Sequence, residues 1–382
     1  MNGPSQSTAH LVIGGGLAGS MAALRLAQAG HEVTLLERER APHQKVCGEF
    51  LSREAVEYLT EAGVHPMNFG AQVIRQVRLS ASGRVVEAAL PFTALSLSRS
   101  VLDEAMLARA HQSGCRVERG AFVEKLEHRD GHWHAQLRDG ASWTAPKAFL
   151  ATGKHDVRGL ERRLGTHGDL VGFKLHLKLT SSQTDALRGC MELFLFPGGY
   201  GGLSLIEGDA TNLCLVVRKQ ALRKLGGWPE LLASIRAGDA HVEHRLHASI
   251  SLLGRPLAVS SIPYGHFAGD SDGLWCVGDQ AACIPSFTGD GMSIALHSGA
   301  LAARMASAGE SAAAYMQVLQ AHLGRSMWLA TWLSRGLVTG AGRKLAPLGL
   351  AVFPHAMSWI AASTRIPDRA LQQSLGFSTP NR

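Results

Sequence analysis

A run of six residues, Gly14-Gly15-Gly16-Leu17-Ala18-Gly19, constrains this chain more than anything else in it. The apolar tetrad at residues 10–13 just before it is long enough for a short buried strand. After it, residues 20–29 carry apolar side chains at helical spacing and stop at Gly30, which suits a C-cap. Residues 31–37 then read as a second apolar strand that ends in Glu37. Strand, glycine turn, helix and strand in so few residues make a βαβ unit of minimal length.

Each glycine in this spacing has its own task. Gly14 permits the tight turn, Gly16 lets the backbone approach a pyrophosphate, and Gly19 lets helix and strand pack closely. The helix N-terminus adds free N–H groups and the positive end of the helix dipole. Glu37, 18 residues beyond Gly19, can accept hydrogen bonds from adenosine ribose hydroxyls and would repel a 2′-phosphate, which disfavours NADP here. An adenine dinucleotide is therefore expected against Gly14, Gly16, Leu17, Ala18, Gly19, Glu37 and Arg38.

The glycine motif alone does not separate FAD from NAD. A second segment does. Leu274, Trp275, Cys276 and Val277 form an apolar strand that meets Gly278 and Asp279. Pro285 and the turn Thr288-Gly289-Asp290-Gly291 then lead into a helix that starts near Met292. With both segments in view, the chain resembles the FAD-dependent oxidoreductase group of para-hydroxybenzoate-hydroxylase-like monooxygenases and geranylgeranyl reductases. The resemblance implies that Gly278, Asp279 and Pro285 lie along the ribityl or pyrophosphate side of FAD. It implies that Gly289, Gly291 and Met292 lie near the N1–C2=O edge of the flavin. A helix N-terminus suits that edge, because a reduced flavin is anionic at N1.

Three further pieces match the group. Ser98-Arg99-Ser100-x-Leu102-Asp103 resembles its arginine-led helix start, which implies that Arg99 reaches the pyrophosphate as a bidentate donor. Lys45-x-Cys47-Gly48-Glu49 resembles a loop of the reductase branch that lies over the flavin, which makes Cys47 and Gly48 flavin-proximal. Pro197-Gly198-Gly199-Tyr200-Gly201-Gly202 resembles the segment where that branch's substrate sheet faces the flavin, so Tyr200 is a pocket candidate. Cys47 and Tyr200 are the two catalytic candidates. One departure stands out: the aspartate of the hydroxylases' Asp-Gly motif is replaced by Thr152, ahead of Gly153 and Lys154. That argues against the hydroxylase-type NADPH contact, and no second GxGxxG is present.

Composition narrows the alternatives. The 382 residues carry a net charge of +7, but the basic residues are scattered and match no nucleic-acid module. None of the six cysteines forms a CxxC pair, so neither zinc nor a redox dithiol is indicated, and no metal site is expected. Reduced cysteines and the polar first ten residues fit a cytoplasmic protein. Residues 345–364 lack formal charge, yet Pro347 and Pro354 interrupt them, so a buried helix pair is expected rather than a span. Peripheral membrane contact through the C-terminal helices stays open. No GxSxG, HExxH or P-loop appears, and His155, His266 and His297 read as structural.

The expected fold is α/β: a Rossmann-like FAD-binding domain with an inserted antiparallel β-sheet substrate domain and a helical C-terminal segment. The FAD-binding domain is expected to use residues 1–72, 95–165 and 255–310, the substrate domain residues 73–94 and 166–254, and the C-terminal segment residues 311–382. The expected activity is that of a monooxygenase or oxidase on an apolar or aromatic secondary metabolite. The alternative is geranylgeranyl-reductase-like reduction of prenyl double bonds. A flavin halogenase is disfavoured by the absence of Trp-x-Trp-x-Ile-Pro, and a non-catalytic flavin or lipid carrier by the intact flavin-edge turn. FAD is the expected cofactor, with NAD(P)H or another reductant as transient electron donor. The expected partner is a lipophilic or aromatic small molecule, not nucleic acid; the oligomeric state is left open.

Overall fold

The computed structural model describes residues 5–162, 168–269, 272–337, 339 and 355–375. A five-stranded, all-parallel sheet forms its first layer, in the order Trp275–Cys276, Lys147–Leu150, His10–Ile13, Val33–Glu37, Arg116–Arg119. Four of the strands come from distant parts of the chain and meet here because they are largely buried, as a covered parallel sheet requires, while the charged, partly exposed Arg116–Arg119 forms the edge. The helices Leu17–Gln28, Arg99–Gln112 and Gly291–Ser307 pack together beside it. Small residues permit this: a Cβ at Gly299 would run into the carbonyl of Ala18, and one at Gly19 into that of Gly14. A smaller sheet joins Ser5–Ser7, Ser142–Ala145, His132–Leu137 and Val123–Arg129.

The second body is a nine-stranded sheet. Its pairings are antiparallel except between Cys190–Phe196 and Gln72–Ala81, which run parallel. The strand Leu257–Ser260, expected in the cofactor domain, pairs instead with Leu170–Lys178 of this large sheet. Its alternating, half-exposed side chains suit a sheet margin, not the dry parallel layer.

Strand periodicity sorts the large sheet into two faces. Along Leu170–Lys178, the side chains Val171, Phe173, Leu175 and Leu177 enter one apolar cluster beneath helices Lys219–Leu225, Trp228–Gly238 and Ala240–Leu246. The intervening Lys174 and His176 point to the other face, toward the cofactor layer. The glycine run near Tyr200 follows the same rule. A Cβ at Gly201 would collide with the Phe194 ring, and one at Gly199 would lie 2.6 Å from Phe196 Cζ. These glycines make room for two phenylalanines on the cluster face, while Tyr200 projects to the opposite side.

Helices Ala312–Leu337, His355–Ser363 and Asp368–Leu375 follow. The first half of the expected helix pair at 345–364 lies outside the described residues; the second half is the helix His355–Ser363. A buried polar relay anchors this segment: Tyr58 Oη is 2.7 Å from His297 Nδ1, and His297 Nε2 is 3.1 Å from His322 Nδ1. Burial, with His322 beside it, pushes the His297 pKa down to about 3, so this imidazole is neutral.

Candidate functional site

One cavity of about 590 Å³ runs from the end of the Val33–Glu37 strand to the face of the large sheet. Gly14, Gly16, Leu17, Ala18, Glu37, Arg38, Cys47, Gly48, Arg99, Gly278, Asp279, Gly289, Gly291 and Met292 all line it, and so does Tyr200. The two glycine-marked helix beginnings therefore open on a single groove. Gly19 and Pro285 are set back from its wall. Gly19 serves helix–strand packing, and the Pro285 carbonyl accepts from Thr288 Oγ1 at 3.1 Å inside the turn.

At the end where adenosine is expected, Glu37 is buried and already oriented. Gly15 N donates to Oε2 at 2.7 Å and Glu39 N to Oε1 at 2.9 Å. Each oxygen keeps acceptor capacity for a ribose hydroxyl. His155 closes this end, accepting from Arg38 Nη2 at 3.3 Å.

The middle of the groove is electropositive. Gly16 caps the Leu17–Gln28 helix without a side-chain cap, and the first turn holds no acidic residue, so its N–H groups are free for an anion. A Cβ at Gly16 would meet only Arg99 Nη2 and Lys45 Nζ, each at 3.6 Å. The space before it is thus bounded by two cations. Asp103 orients both: it accepts from Arg99 Nε at 2.8 Å, Arg99 Nη2 at 3.0 Å and Lys45 Nζ at 2.8 Å. Burial opposes charge on Asp103, but Arg99 and then Lys45 hold its carboxyl below the usual range. A third cation, Lys154, lies 3.0 Å from Asp279 Oδ2, and Arg162 Nη1 donates to the Asp279 carbonyl at 2.7 Å. Burial again works against Asp279, and Lys154 again outweighs it and depresses the pKa. Three cations against two carboxylates, plus a helix N-terminus, suit a pyrophosphate.

The hydroxylase aspartate has a structural replacement. Gln280 Nε2 donates to Thr152 Oγ1 at 2.9 Å, to the Gly153 carbonyl at 3.0 Å and to the His155 carbonyl at 2.9 Å. Thr152 thereby helps tie the 152–155 loop to the Asp279 segment and places Lys154 in the groove.

At the far end the turn Ser286–Thr288 closes on Gly289, where a φ of +74° and the Phe50 ring, whose Cδ1 would lie 2.5 Å from an added Cβ, exclude a side chain. Gly291 then begins a helix with no acidic residue in its first turn. Asp290 beneath it is fully buried, 2.7 Å from Arg365 Nη1. Arg365 also donates to the Thr288 and Ala361 carbonyls and lies 5.0 Å from the Phe92 ring centre. One C-terminal side chain thus clamps the turn to the large sheet. Burial raises the Asp290 pKa to about 7, against the pull of Arg365.

Sequence reasoning missed the group that fixes the Lys45–Glu49 loop. Glu49 has no solvent exposure and sits at φ +57°, a left-handed conformation uncommon outside glycine. Its carboxylate accepts from Arg99 N at 2.7 Å, from His176 Nε2 at 2.9 Å and from Lys174 Nζ, which is equally buried. Asn212 Nδ2 holds the Cys47 carbonyl at 3.1 Å. Polar residues two apart on an otherwise apolar strand, Lys174 and His176, were the available signal.

The chain's own residues therefore fit FAD: an acidic ribose site, a cationic cradle open in front of Gly16, and a second helix start joined to it by one groove. Bound there, FAD supplies hydride and electron transfer.

Residues 7–145 match the family model of the FAD binding domain. Over 344 residues the chain is 27% identical to a menaquinone reductase of Mycobacterium tuberculosis, covering 85% of this chain and 82% of the relative. It is 27% identical over 327 residues to digeranylgeranylglycerophospholipid reductase 2 of Methanopyrus kandleri, covering 78% of this chain and 76% of that one. The fold matches a geranylgeranyl bacteriochlorophyll reductase-like structure from Thermoplasma acidophilum at TM-score 0.73 and 17% identity, over 97% of this chain and 96% of that one. A myxobacterial chondrochloren halogenase shares the fold at TM-score 0.75 and 17% identity, over 99% and 98%.

Fold, groove and family match define an FAD-dependent oxidoreductase. Within that class the chain is similar to the group that holds hydroxylase-type flavoproteins and geranylgeranyl reductases, and the two sequence relatives named above are reductases.

Proposed function

We propose that this enzyme reduces a carbon–carbon double bond in a prenyl-type lipophilic molecule. The carrying observation is the chemistry of the cavity beyond the Gly289 turn. Val77, Leu79, Leu193, Leu195, Val216 and Ile262 form its wall. One hydroxyl cluster interrupts that wall, where Tyr200 Oη lies 3.1 Å from Ser286 Oγ and Tyr264 bonds the same serine. Such a site excludes water and anchors one polar group of an otherwise apolar substrate. Similarity to reductases across most of the chain ranks this reading above the oxygenation that the sequence had put first.

Reduction of such a bond needs a hydride on one carbon and a proton on the other; FAD, once reduced by the electron donor, would supply the hydride and this chain the proton. Cys47, in the groove wall on a loop locked by Glu49, is the proposed proton source. Tyr200, whose hydroxyl is kept protonated by burial, is proposed to anchor the substrate's polar end. The reductant meets the flavin transiently, since no second glycine fingerprint exists to hold a dinucleotide.

Anaerobic incubation of reduced enzyme with geranylgeranyl-bearing lipids tests this. A mass gain of about two hydrogens per bond without oxygen supports it. Conversion that requires oxygen and adds an oxygen atom favours the second reading, a monooxygenase on an apolar or aromatic metabolite, which the same dry cavity also suits.

A further inference from the structure

We propose that the outer face of the Ala312–Leu337 helix docks on an anionic lipid bilayer. Three of the chain's seven tryptophans are strongly exposed, Trp328 at 68%, Trp332 at 62% and Trp359 at 59%, and all three belong to the C-terminal helices. A tryptophan left two-thirds in water forfeits much of the burial that makes it useful in a core. Here two of them stand one turn apart on the same helix. Arg325 and Arg335, both exposed, flank them three residues away on either side, so the four side chains share one face.

That face is not a core turned outward. Tyr315, Met316, Leu319, Leu323, Met327 and Ala330 are buried on the opposite side and seat the helix on the protein. Charge is segregated as well. Between Glu310 and Asp368 the chain has no Asp or Glu but carries Arg325, Arg335, Arg343, Lys344 and Arg365. Indole rings prefer the boundary between lipid headgroups and hydrocarbon, and flanking arginines prefer anionic headgroups. Among the described residues no helix is long and apolar enough to cross a membrane, so the contact is with a surface.

The helix that carries this face also reaches the cavity: Leu337, on its seated side, lines the apolar end, as do Met357 and Ile360, which bracket Trp359 in sequence. The docking itself does not depend on which reaction the flavin performs.

Flotation of the FAD-loaded protein with vesicles tests it. Phosphatidylcholine vesicles with about 30 mol% phosphatidylglycerol should carry the protein upward, and high salt should weaken this. The indole emission should shift to the blue in the same titration. The W328S/W332S variant should lose at least about tenfold in vesicle affinity, with FAD content and thermal midpoint unchanged. R325E/R335E, which leaves the aromatic face intact, should lose binding to anionic vesicles by a similar factor. Absence of flotation and of any blue shift would overturn the proposal. So would flotation that both variants retain, or a dimer dissociated by the tryptophan substitutions in a protein that ignores vesicles.

Discussion

His176 Nε2 lies 2.9 Å from Glu49 Oε2, and the opposite carboxylate oxygen takes Lys174, so one buried acid from the Lys45–Glu49 loop is held by two residues of the large sheet. The two bodies of the protein are joined at the loop that carries Cys47. Breaking a buried ion pair on one side costs about 3–5 kcal/mol. Glu49→Ala should therefore lower the thermal midpoint by many degrees. Lys174→Met with Glu49→Gln should recover part of the loss, because no charge is then left unpaired. An unchanged midpoint in Glu49→Ala would mean that the loop does not depend on this cluster.

Gly14 and Gly16 separate folding from cofactor binding. A Cβ at Gly14 lies 2.5 Å from the Ala151 carbonyl at a φ of +108°, so Gly14→Ala should destabilise the chain itself, by about 1–3 kcal/mol or more. A Cβ at Gly16 meets only the tips of Arg99 and Lys45. Gly16→Val should keep a wild-type apoprotein midpoint and fail to retain FAD. Midpoints measured without cofactor, beside FAD content after purification, distinguish the two.

Lys154 is the cation that the family pattern did not announce. Removing it should weaken FAD binding by about tenfold, equivalent to about 1.4 kcal/mol for one charge-assisted phosphate contact. Isothermal titration of FAD into Lys154→Met reads this. The variant should also raise the Asp279 pKa, since Lys154 is the group that depresses it.

Asp290 gives a pH signature. Its folded pKa, about 7, exceeds that of an unfolded carboxyl, so between the two the native state binds the extra proton. Stability contributed by this group is present at acid pH and declines as pH rises from about 4 to about 7, then levels off. Asp290→Asn should abolish that decline, seen as a difference in midpoint between variant and wild type that grows over this range. A difference independent of pH would show that Asp290 is ionised throughout, paired with Arg365.

The cofactor half was legible because its chemistry is local. Gly14, Gly16, Glu37, Arg99 and Asp279 each sit in a short motif whose spacing dictates geometry, and all five line one groove. What escaped was assembled from far apart. Glu49 meets Lys174 and His176 across about 125 residues of chain, and Arg365 reaches back to Asp290 from the C-terminal helices. Such pairings leave no periodic trace. The Leu257–Ser260 strand was misplaced for a related reason: four alternating residues name a strand but not its neighbour. The resemblance made Tyr200 a pocket candidate, and Tyr200 does line the groove, but it did not announce why glycines flank it: a Cβ at Gly199 or Gly201 would run into Phe196 or Phe194 on the other face.

The account stands on one extended FAD spanning both helix beginnings, and the flavin content of the purified protein tests this most directly. Denaturing a known amount of chain and quantifying the released chromophore should give one FAD per chain, and none from Gly16→Val. A colourless wild-type protein that takes up no FAD on reconstitution would contradict it.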